Sequence, residues 1–228
     1  MTGKGGAADG DRVDWRADGV PVSARYGDPY FSPDGGLEET RHVFLGGNGL
    51  PGRFRDGFRI AETGFGTGLN LIAAALAFPG PGRFRFTSFE LHPMEPADMA
   101  RALAAFPATA PLAADLVAAW RGGARRFALG PAEVEILTGD VRDRLPAWDG
   151  IADAWFLDGF APARNPAMWD AGLMAEVARH TAPGGTFATY TAAGHVRRAL
   201  QAAGFQVSRA PGFGRKRHMT RGILADEA

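Results

Sequence analysis

Three glycines at alternate positions, Gly64, Gly66 and Gly68, constrain this chain more than any other feature. The apolar run 58–61 comes directly before them, and a helical pattern begins directly after them. Four residues of that pattern are expected to share one helix face: Leu69, Ile72, Ala73 and Leu76. A strand, a glycine turn and a helix in this order open an α/β sheet, where the turn lets the backbone approach a ligand. The segment therefore predicts a ligand site at one edge of such a sheet.

The spacing of these glycines selects the type of ligand. A dinucleotide fingerprint that starts at Gly64 requires glycine at position 69, where Leu69 stands, and the chain contains no GxxxxGK[ST] phosphate loop. The remaining pattern, E-x-G-x-G-x-G, is typical of S-adenosylmethionine (SAM) methyltransferases, although a tight turn without a ligand is the alternative. We expect seven residues to form the methionine side of a SAM site: Glu62, Gly64, Phe65, Gly66, Thr67, Gly68 and Asn70.

Composition narrows the class of protein. A chain of 228 residues, 46% hydrophobic and 22% charged, fits one globular domain with modest additions. No apolar run approaches the roughly 20 residues of a membrane span, and residues 1–6 do not resemble the start of a signal peptide. Zero cysteines exclude disulfides, thiolate metal sites and cysteine nucleophiles, so we expect a cytoplasmic protein. No metal is expected. With 25 basic and 25 acidic residues, a nucleic-acid partner would need a local basic patch.

The chain divides into three parts by pattern. Residues 1–12 are rich in Gly, Ala and Asp without periodicity, which predicts a disordered leader. Residues 13–57 are dense in turn residues and aromatics, which predicts an extension of loops and short strands packed on the main sheet. Residues 58–228 form the predicted α/β domain.

Seven segments of the α/β domain are predicted strands, at 58–61, 83–90, 133–137, 152–157, 186–190, 205–208 and 218–224. Helices are predicted between most of them, including one that begins at Asn165-Pro166 and ends at Gly184-Gly185. This alternation predicts a doubly wound, Rossmann-like sheet, mostly parallel, with one antiparallel strand near the end. SAM methyltransferases usually have this architecture.

Acidic side chains lie at or just after the ends of three predicted strands. Glu90 lies 22 positions after Gly68, about where an open α/β fold places a carboxylate on ribose hydroxyls, although a solvated strand end is equally compatible. Asp140 either holds the adenine amino group or caps the next helix. Asp158 follows the apolar run 152–157, which is typical of a central strand buried on both faces.

Four segments together resemble one family: YGDPYFSPDGGLEETRHVFLGGN (26–48), AETGFGTGLN (61–70), DAWFLDGFAPARNPAMW (153–169) and GFGRKRHM (212–219). They are similar to the methyltransferase domain of the MnmC family of bacterial tRNA wobble-uridine enzymes and its stand-alone relatives. The resemblance covers nearly the whole chain after residue 12. It implies SAM-dependent N-methylation of 5-aminomethyl-2-thiouridine in tRNA, giving 5-methylaminomethyl-2-thiouridine.

The resemblance also has implications for partners. Bifunctional members of the family carry a C-terminal FAD-dependent oxidase domain, which makes the aminomethyl substrate. An oxidase domain, or an oxidase partner acting in trans, is therefore expected. The sequence leaves open whether this chain is a stand-alone methyltransferase or half of a bifunctional enzyme.

This reaction assigns roles to further residues. An aminomethyl group is mostly ammonium at neutral pH, and a carboxylate near the transferred methyl group can hold the amine and accept its proton. Asp158 is expected in this catalytic role, with a turn or capping Asp as the alternative. Phe160 and Tyr30 are candidates to stack on the flipped uracil, unless they belong to the core.

The chain has one conspicuous basic cluster, Arg215, Lys216 and Arg217, followed by His218. Together with Arg209 and Arg221, it is expected to hold phosphates of the anticodon stem, although such a run is more often a solvated turn. Arg164, beside the loop after Asp158, is a second phosphate candidate.

Three alternatives to the tRNA reaction stay open. A methyltransferase that acts on a small molecule or a protein would share the fold, and the zero net charge favours it somewhat. An NAD-linked oxidoreductase is disfavoured by Leu69 at the third fingerprint position. A non-catalytic binding module would keep the fold alone.

Overall fold

The computed structural model describes residues 12–225, so most of the predicted leader, residues 1–11, lies outside the described residues. The described residues contain ten strands: β1 Val13–Trp15, β2 Pro21–Ser23, β3 Phe58–Thr63, β4 Phe84–Glu90, β5 Arg126–Leu129, β6 Ala132–Thr138, β7 Ala152–Leu157, β8 Thr181–Thr189, β9 Phe205–Pro211 and β10 His218–Leu224. The first two pair as a small antiparallel sheet, and the other eight form one sheet in the order β5-β6-β4-β3-β7-β8-β10-β9.

Helices fill most of the connections between these strands. They are α1 Gly36–Thr40, α2 Leu69–Ala77, α3 Pro96–Leu103, α4 Ala110–Arg121, α5 Val141–Arg144, α6 Ala171–Arg179 and α7 Gly194–Ala202. A π-helical turn, Arg41–Gly46, continues α1, and 3-10 turns lie at Pro107–Thr109 and Pro166–Trp169. No single described helix is long and apolar enough to cross a membrane, and α3 meets that test only jointly with the segment Pro107–Arg121, to which it is bent by 117°.

The centre of the large sheet is parallel, as predicted. Strands β6, β4, β3, β7 and β8 run in one direction, and β10 runs antiparallel to β8 and β9 near the end of the chain. A second antiparallel strand, β5, pairs with β6 and was not predicted. Its four residues include only one buried side chain, Leu129, so the segment carries too short a pattern to mark a strand.

The chain order of the sheet creates a switch point beside β3. From β3 the chain moves outward through β4 to β6, and then returns to the other side of β3 with β7. In open α/β sheets, ligands bind outside the carboxyl ends of the strands at such a point. The ends of β3, β4 and β7 are therefore where a site is expected.

The helix predicted from Asn165-Pro166 to Gly184-Gly185 is wrong in its extent. A 3-10 turn comes first, and α6 begins only after Asp170, whose side chain accepts a hydrogen bond from the Leu173 N–H at 2.8 Å. Strand β8 then includes both glycines, and its register against β7 shifts between Ala152 and Ala154. The glycine pair therefore marks an irregularity inside a strand and not the end of a helix.

Two hydrophobic clusters cover opposite faces of the sheet, because successive side chains of a strand point to opposite sides. In β7, Phe156 belongs to one cluster, while Trp155 and Leu157 belong to the other. All six residues of β7 are buried, as its nearly continuous apolar run predicted, and the buried residues include the charged Asp153.

Helix α2 departs from the predicted one-sided pattern. Its residues Leu69 to Ala75 are all buried, whereas Leu76, which was expected on the core face, is 43% exposed. The N-terminal extension explains the burial of residues 69–75 on all sides, because α1 packs on α2 and covers the side that would otherwise face solvent. Residues of this extension, including Leu37 and Phe44, belong to the same core as the sheet.

Candidate active site

A cavity of about 440 Å³ lies at the carboxyl edge of the parallel strands, within the range usual for small-ligand sites. Its wall includes the glycine loop 64–67 and the three acidic residues that follow strands: Glu90, Asp140 and Asp158. The N-terminal extension forms another wall, with residues between Tyr26 and Thr40. The structure thus brings the predicted loop and the predicted acids into one site.

The glycine loop is held in a conformation that favours glycine. Gly66 has a φ of 52°, and a Cβ added to it would lie 3.3 Å from the ring of Tyr30. Gly64 and Gly66 both line the cavity. Gly68 does not line the cavity, and a Cβ there would lie 2.6 Å from a methyl group of Leu116, so packing of the loop itself favours glycine at this position, and cofactor contact by Gly68 stays a prediction.

Glu90 stands at the end of β4 with both carboxylate oxygens held by backbone groups. One oxygen accepts a hydrogen bond from Gly66 N at 3.0 Å, and the other accepts one from His92 N at 2.7 Å. Burial raises the pKa of Glu90, while these backbone bonds oppose the shift. Each oxygen keeps acceptor capacity, so the carboxylate can still receive two ribose hydroxyls.

Asp140 caps the next helix, which is one of the two roles that the sequence left open. Its side chain accepts a hydrogen bond from Arg142 N at 2.9 Å and so caps α5. The Arg142 side chain also pairs with it, and this hydrogen bonding lowers the pKa of Asp140. Asp140 nevertheless lines the cavity, so contact with adenine stays a prediction.

Asp158 lies at the turn after β7, where its carboxylate faces the cavity. Oδ1 accepts a hydrogen bond from Gly159 N at 2.8 Å, and Oδ2 accepts one from Asn70 Nδ2 at 2.7 Å. Burial raises the pKa of Asp158 to about 7 in spite of these bonds. The nearby carboxylate of Glu39 adds to this rise, and the Lys216 ammonium opposes it. Near neutral pH the group is therefore suited to accept a proton and to release it again.

Glu62 lies one layer behind this wall. It is completely buried, does not line the cavity, and accepts hydrogen bonds from Asn70 Nδ2 at 2.9 Å and from the Ser88 hydroxyl at 2.6 Å. Burial raises the pKa of Glu62 well above its ordinary range. The expectation that Glu62 contacts the cofactor directly is therefore corrected: it holds Asn70, and Asn70 in turn holds Asp158. The side-chain oxygen of Asn70 is also occupied, because it accepts a hydrogen bond from Thr40 Oγ1 at 2.8 Å.

Three of the aromatic rings that line the cavity pack on one another. Phe160 stacks on Tyr26 with ring centroids 4.7 Å apart, and Tyr30 meets Phe160 edge-on at 5.2 Å. Phe160 and Tyr30 were both predicted, whereas Tyr26 was not singled out, although it begins the same YGDPYF segment. All three rings belong to the cavity wall and not only to the core.

Two other residues of the wall, Asp28 and Tyr190, have no role predicted from the sequence. Asp28 Oδ2 accepts a hydrogen bond from Ala161 N at 2.7 Å and so joins the extension to the loop after Asp158. The Tyr190 hydroxyl donates to the carbonyl oxygen of Gly159 at 2.8 Å. These contacts join segments far apart in the chain, so no local spacing could have indicated them.

The structure divides the predicted basic residues into two groups. The Lys216 ammonium lines the cavity, where it donates to Glu39 Oε1 at 2.7 Å and lies 4.2 Å from the centroid of the Tyr190 ring. Arg215, Arg217 and Arg164 are exposed and do not line the cavity.

Comparison with known proteins decides the family. A family model described as S-adenosyl-L-methionine-dependent methyltransferase matches residues 107–225, which is more than half of the chain. The chain belongs to this family. The alternatives of an NAD-linked oxidoreductase and of a non-catalytic binding module are therefore not supported.

Two relatives of this methyltransferase carry the name tRNA 5-methylaminomethyl-2-thiouridine biosynthesis bifunctional protein MnmC. The one from Chromobacterium violaceum is 48% identical over 222 residues, covering 91% of this chain and 34% of the relative. The one from Caulobacter sp. (strain K31) is 49% identical over 219 residues, covering 89% and 36%. The chain thus spans about a third of the length of these relatives.

A solved structure supports the same fold for the methyltransferase. The crystal structure of MnmC2 from Aquifex aeolicus is similar with a TM-score of 0.76 and 25% identity, covering 96% of this chain and 72% of that one. The α/β architecture with a mostly parallel sheet is therefore confirmed.

The cavity of the methyltransferase fits its cofactor, SAM. Gly64 and Gly66 present no side chain to the cavity, and Glu90 keeps free acceptor capacity beside them. We expect these groups, with Phe65, Thr67 and Asn70 beside them, to hold SAM. Among residues 12–225, no cluster of three or more His, Cys, Asp or Glu side chains is arranged to hold a metal ion.

Proposed function

We propose that this methyltransferase methylates the primary amine of 5-aminomethyl-2-thiouridine at the wobble position of tRNA, giving 5-methylaminomethyl-2-thiouridine. The observation that carries this proposal is the position of Asp158 against the glycine loop. A Cβ added to Gly64 would lie 3.5 Å from the Asp158 carbonyl oxygen, so the glycine loop and the loop after β7 lie directly beside each other in the wall of the cavity. The names of the relatives supply the substrate, and we extend it to this chain because nearly half of the residues are identical.

The chemistry requires a neutral amine beside the methyl donor. When bound, SAM supplies a methyl group on a positively charged sulfur. The amine nitrogen forms its new bond to the methyl carbon as the bond from that carbon to sulfur breaks. Asp158 takes the proton that the ammonium loses, and its pKa of about 7 allows it to pass that proton to solvent afterwards. Asn70 and Gly159 N hold the carboxylate in place, which aligns the amine for an in-line attack.

The base that carries the amine needs a surface on which to lie. Bases of single-stranded RNA are commonly held on aromatic side chains, and the rings of Phe160 and Tyr30 line the cavity near Asp158. We propose that the flipped uracil lies against these rings, with Tyr26 supporting Phe160 from behind. The exposed side chains of Arg215, Arg217 and Arg164 then contact phosphates of the anticodon region outside the cavity.

The aminomethyl group must be made by an earlier reaction. We propose that an FAD-dependent oxidase, in a linked domain or in trans, supplies it in the cytoplasm, because the relatives are named as bifunctional and are about three times as long as this chain.

A direct experiment tests the acceptor. The chain is incubated with labelled SAM and tRNA from cells blocked at the aminomethyl stage. The tRNA is then digested, and its nucleosides are identified by mass spectrometry. We expect label in 5-methylaminomethyl-2-thiouridine alone. Absence of label from the tRNA, with SAM still bound, would refute the proposal.

The second candidate is methylation of a small molecule or a protein, which the zero net charge favours. Counterion release separates the two, because affinity for tRNA falls steeply as salt rises, whereas binding of a neutral small molecule does not. Salt titration of binding to the aminomethyl tRNA therefore accompanies the labelling experiment.

A further inference from the structure

We propose that Lys216 binds the acceptor base itself, by donating a hydrogen bond to the carbonyl oxygen at C4 of the uracil ring. This inference rests on the proposed function. It changes the role of one residue of the basic cluster from phosphate contact to recognition of the base that is modified.

The position of Lys216 supports this role. It lies in the turn between β9 and β10, and its side chain is 43% exposed where that of Arg215 is 93% exposed. Lys216 Nζ donates a hydrogen bond to Glu39 Oε1 at 2.7 Å, and it lies 4.2 Å from the centroid of the Tyr190 ring. Glu39 itself is 11% exposed and sits on α1, so it gives the ammonium a fixed anchor.

The ammonium retains a donor for a ligand. Lysine has three N–H donors and no acceptor. Glu39 accepts one hydrogen bond, the face of Tyr190 is available to a second N–H, and no other acceptor among residues 12–225 forms a hydrogen bond with Nζ. Because Lys216 lines the cavity, the remaining N–H is available to a group that enters it.

The chemistry of the base places its carbonyl within reach. The aminomethyl group is attached to C5, and C4 is the adjacent ring carbon, so the carbonyl oxygen lies beside the amine. Lys216 is close enough to Asp158 to lower the pKa of that carboxyl, and Tyr190 contacts Gly159, the next residue. An amine held by Asp158 therefore brings the C4 oxygen toward Lys216.

Charge favours a carbonyl over a phosphate as the partner. Glu39 neutralises the ammonium, and the carboxylate of Asp158 is close by. A phosphate at this position would be repelled by two carboxylates, whereas a neutral carbonyl would not. The exposed Arg215 and Arg217 lack a buried carboxylate of this kind and remain suited to phosphate.

A double-substitution cycle tests the contact. Anticodon stem-loop RNAs are made with 5-aminomethyl-2-thiouridine or with an analogue that has hydrogen in place of the C4 oxygen. We expect Lys216→Met to lower kcat/KM about 10–100-fold on the natural base, and the wild type to lose a similar factor on the analogue. Because both changes remove one contact, the variant should lose little more on the analogue. If the loss in kcat/KM from Lys216→Met and the loss from the analogue multiply when combined, the two changes act independently and the inference is overturned.

Two measurements on Lys216→Met distinguish a lost base contact from a damaged fold or a lost phosphate contact. The affinity of the variant for SAM, measured by calorimetry, should equal that of the wild type if the fold is intact. The salt slope of RNA binding should also be unchanged, and a slope smaller by about one would identify a phosphate contact and overturn the inference.

The wild type alone also decides the question if the variant does not fold. Undiminished kcat/KM on the analogue would then overturn the inference. If the wild type does not methylate the natural base, the proposed function fails and the inference fails with it. If the wild type methylates the natural base but the losses from the variant and the analogue multiply, only the role of Lys216 is refuted.

Discussion

Asn70 Nδ2 lies 2.7 Å from Asp158 Oδ2 and donates a hydrogen bond to it. The same nitrogen donates to the buried Glu62, and the side-chain oxygen accepts from Thr40. Every polar atom of this amide is therefore occupied, and its orientation is fixed by three different elements. The carboxylate that faces the cavity is positioned by a residue of α2, the helix that follows the glycine loop, so one side chain links this helix to Asp158.

Removing this amide should affect the chemical step. We expect Asn70→Ala to lower kcat about 10–100-fold, because Asp158 loses its orientation and Glu62 loses a partner. Thr40→Val is the graded comparison, since it removes only the hydroxyl that contacts the amide oxygen, and its effect should be smaller. Single-turnover methylation of aminomethyl tRNA measures both. An Asn70→Ala enzyme with normal kcat would show that the amide does not position Asp158.

Asp158→Asn should separate catalysis from cofactor binding. The substitution keeps the shape of the side chain but removes its ability to accept a proton, so we expect kcat to fall about 10²–10⁴-fold. Affinity for SAM should be retained, as measured by calorimetry. Asp143→Asn, at an exposed position outside the cavity, is the matched control and should leave the rate unchanged. Full activity of Asp158→Asn would refute the proposed mechanism.

The rate should depend on pH through Asp158. Its pKa is raised to about 7, and only the ionised form accepts a proton, so kcat/KM should rise as pH increases through that value. The charged and titratable groups around it are Glu39, Lys216, Glu62 and Tyr190. A pH–rate profile of the wild type and of Asp158→Asn measures this, and the rise near pH 7 should be absent from the variant. A rise that persists there would belong to another group.

Glu90→Gln should weaken cofactor binding more than it slows the reaction. A neutral amide accepts hydroxyl hydrogen bonds less strongly than a carboxylate, so we expect the Kd for SAM to rise about tenfold. At saturating SAM, kcat should change little. Glu133→Gln, on the exposed side of β6, provides the control. Unaltered SAM affinity in Glu90→Gln would exclude a ribose contact.

Much of this site could be predicted from the sequence because it depends on chain order and local spacing. The glycine loop requires backbone conformations that glycine favours, and that requirement is visible as a pattern. Parallel strands bring their carboxyl ends to one edge, so acids that follow strands were expected to meet there. Glu90, Asp140 and Asp158 do meet at one cavity.

Contacts between distant segments could not be predicted in this way. Whether Glu62 faces the ligand or the interior depends on the side of β3 to which its side chain points. It also depends on α2, which places Asn70 against this side chain. The pairing of Glu39 with Lys216 joins residues 177 positions apart. No periodicity records such a contact, because it arises only when α1 and the β9–β10 turn pack around the same cavity.

The sequence by itself therefore determined the α/β class, the position of the ligand edge and the carboxylate expected to act there, since each follows from local backbone preference and strand order. The tertiary structure alone decided that Glu62 supports Asn70, that the extension forms a wall of the cavity, and that Lys216 lies in the cavity while its neighbours stay outside. The physical reason is that side-chain direction and burial depend on which distant elements pack together, and spacing along the chain carries no record of that.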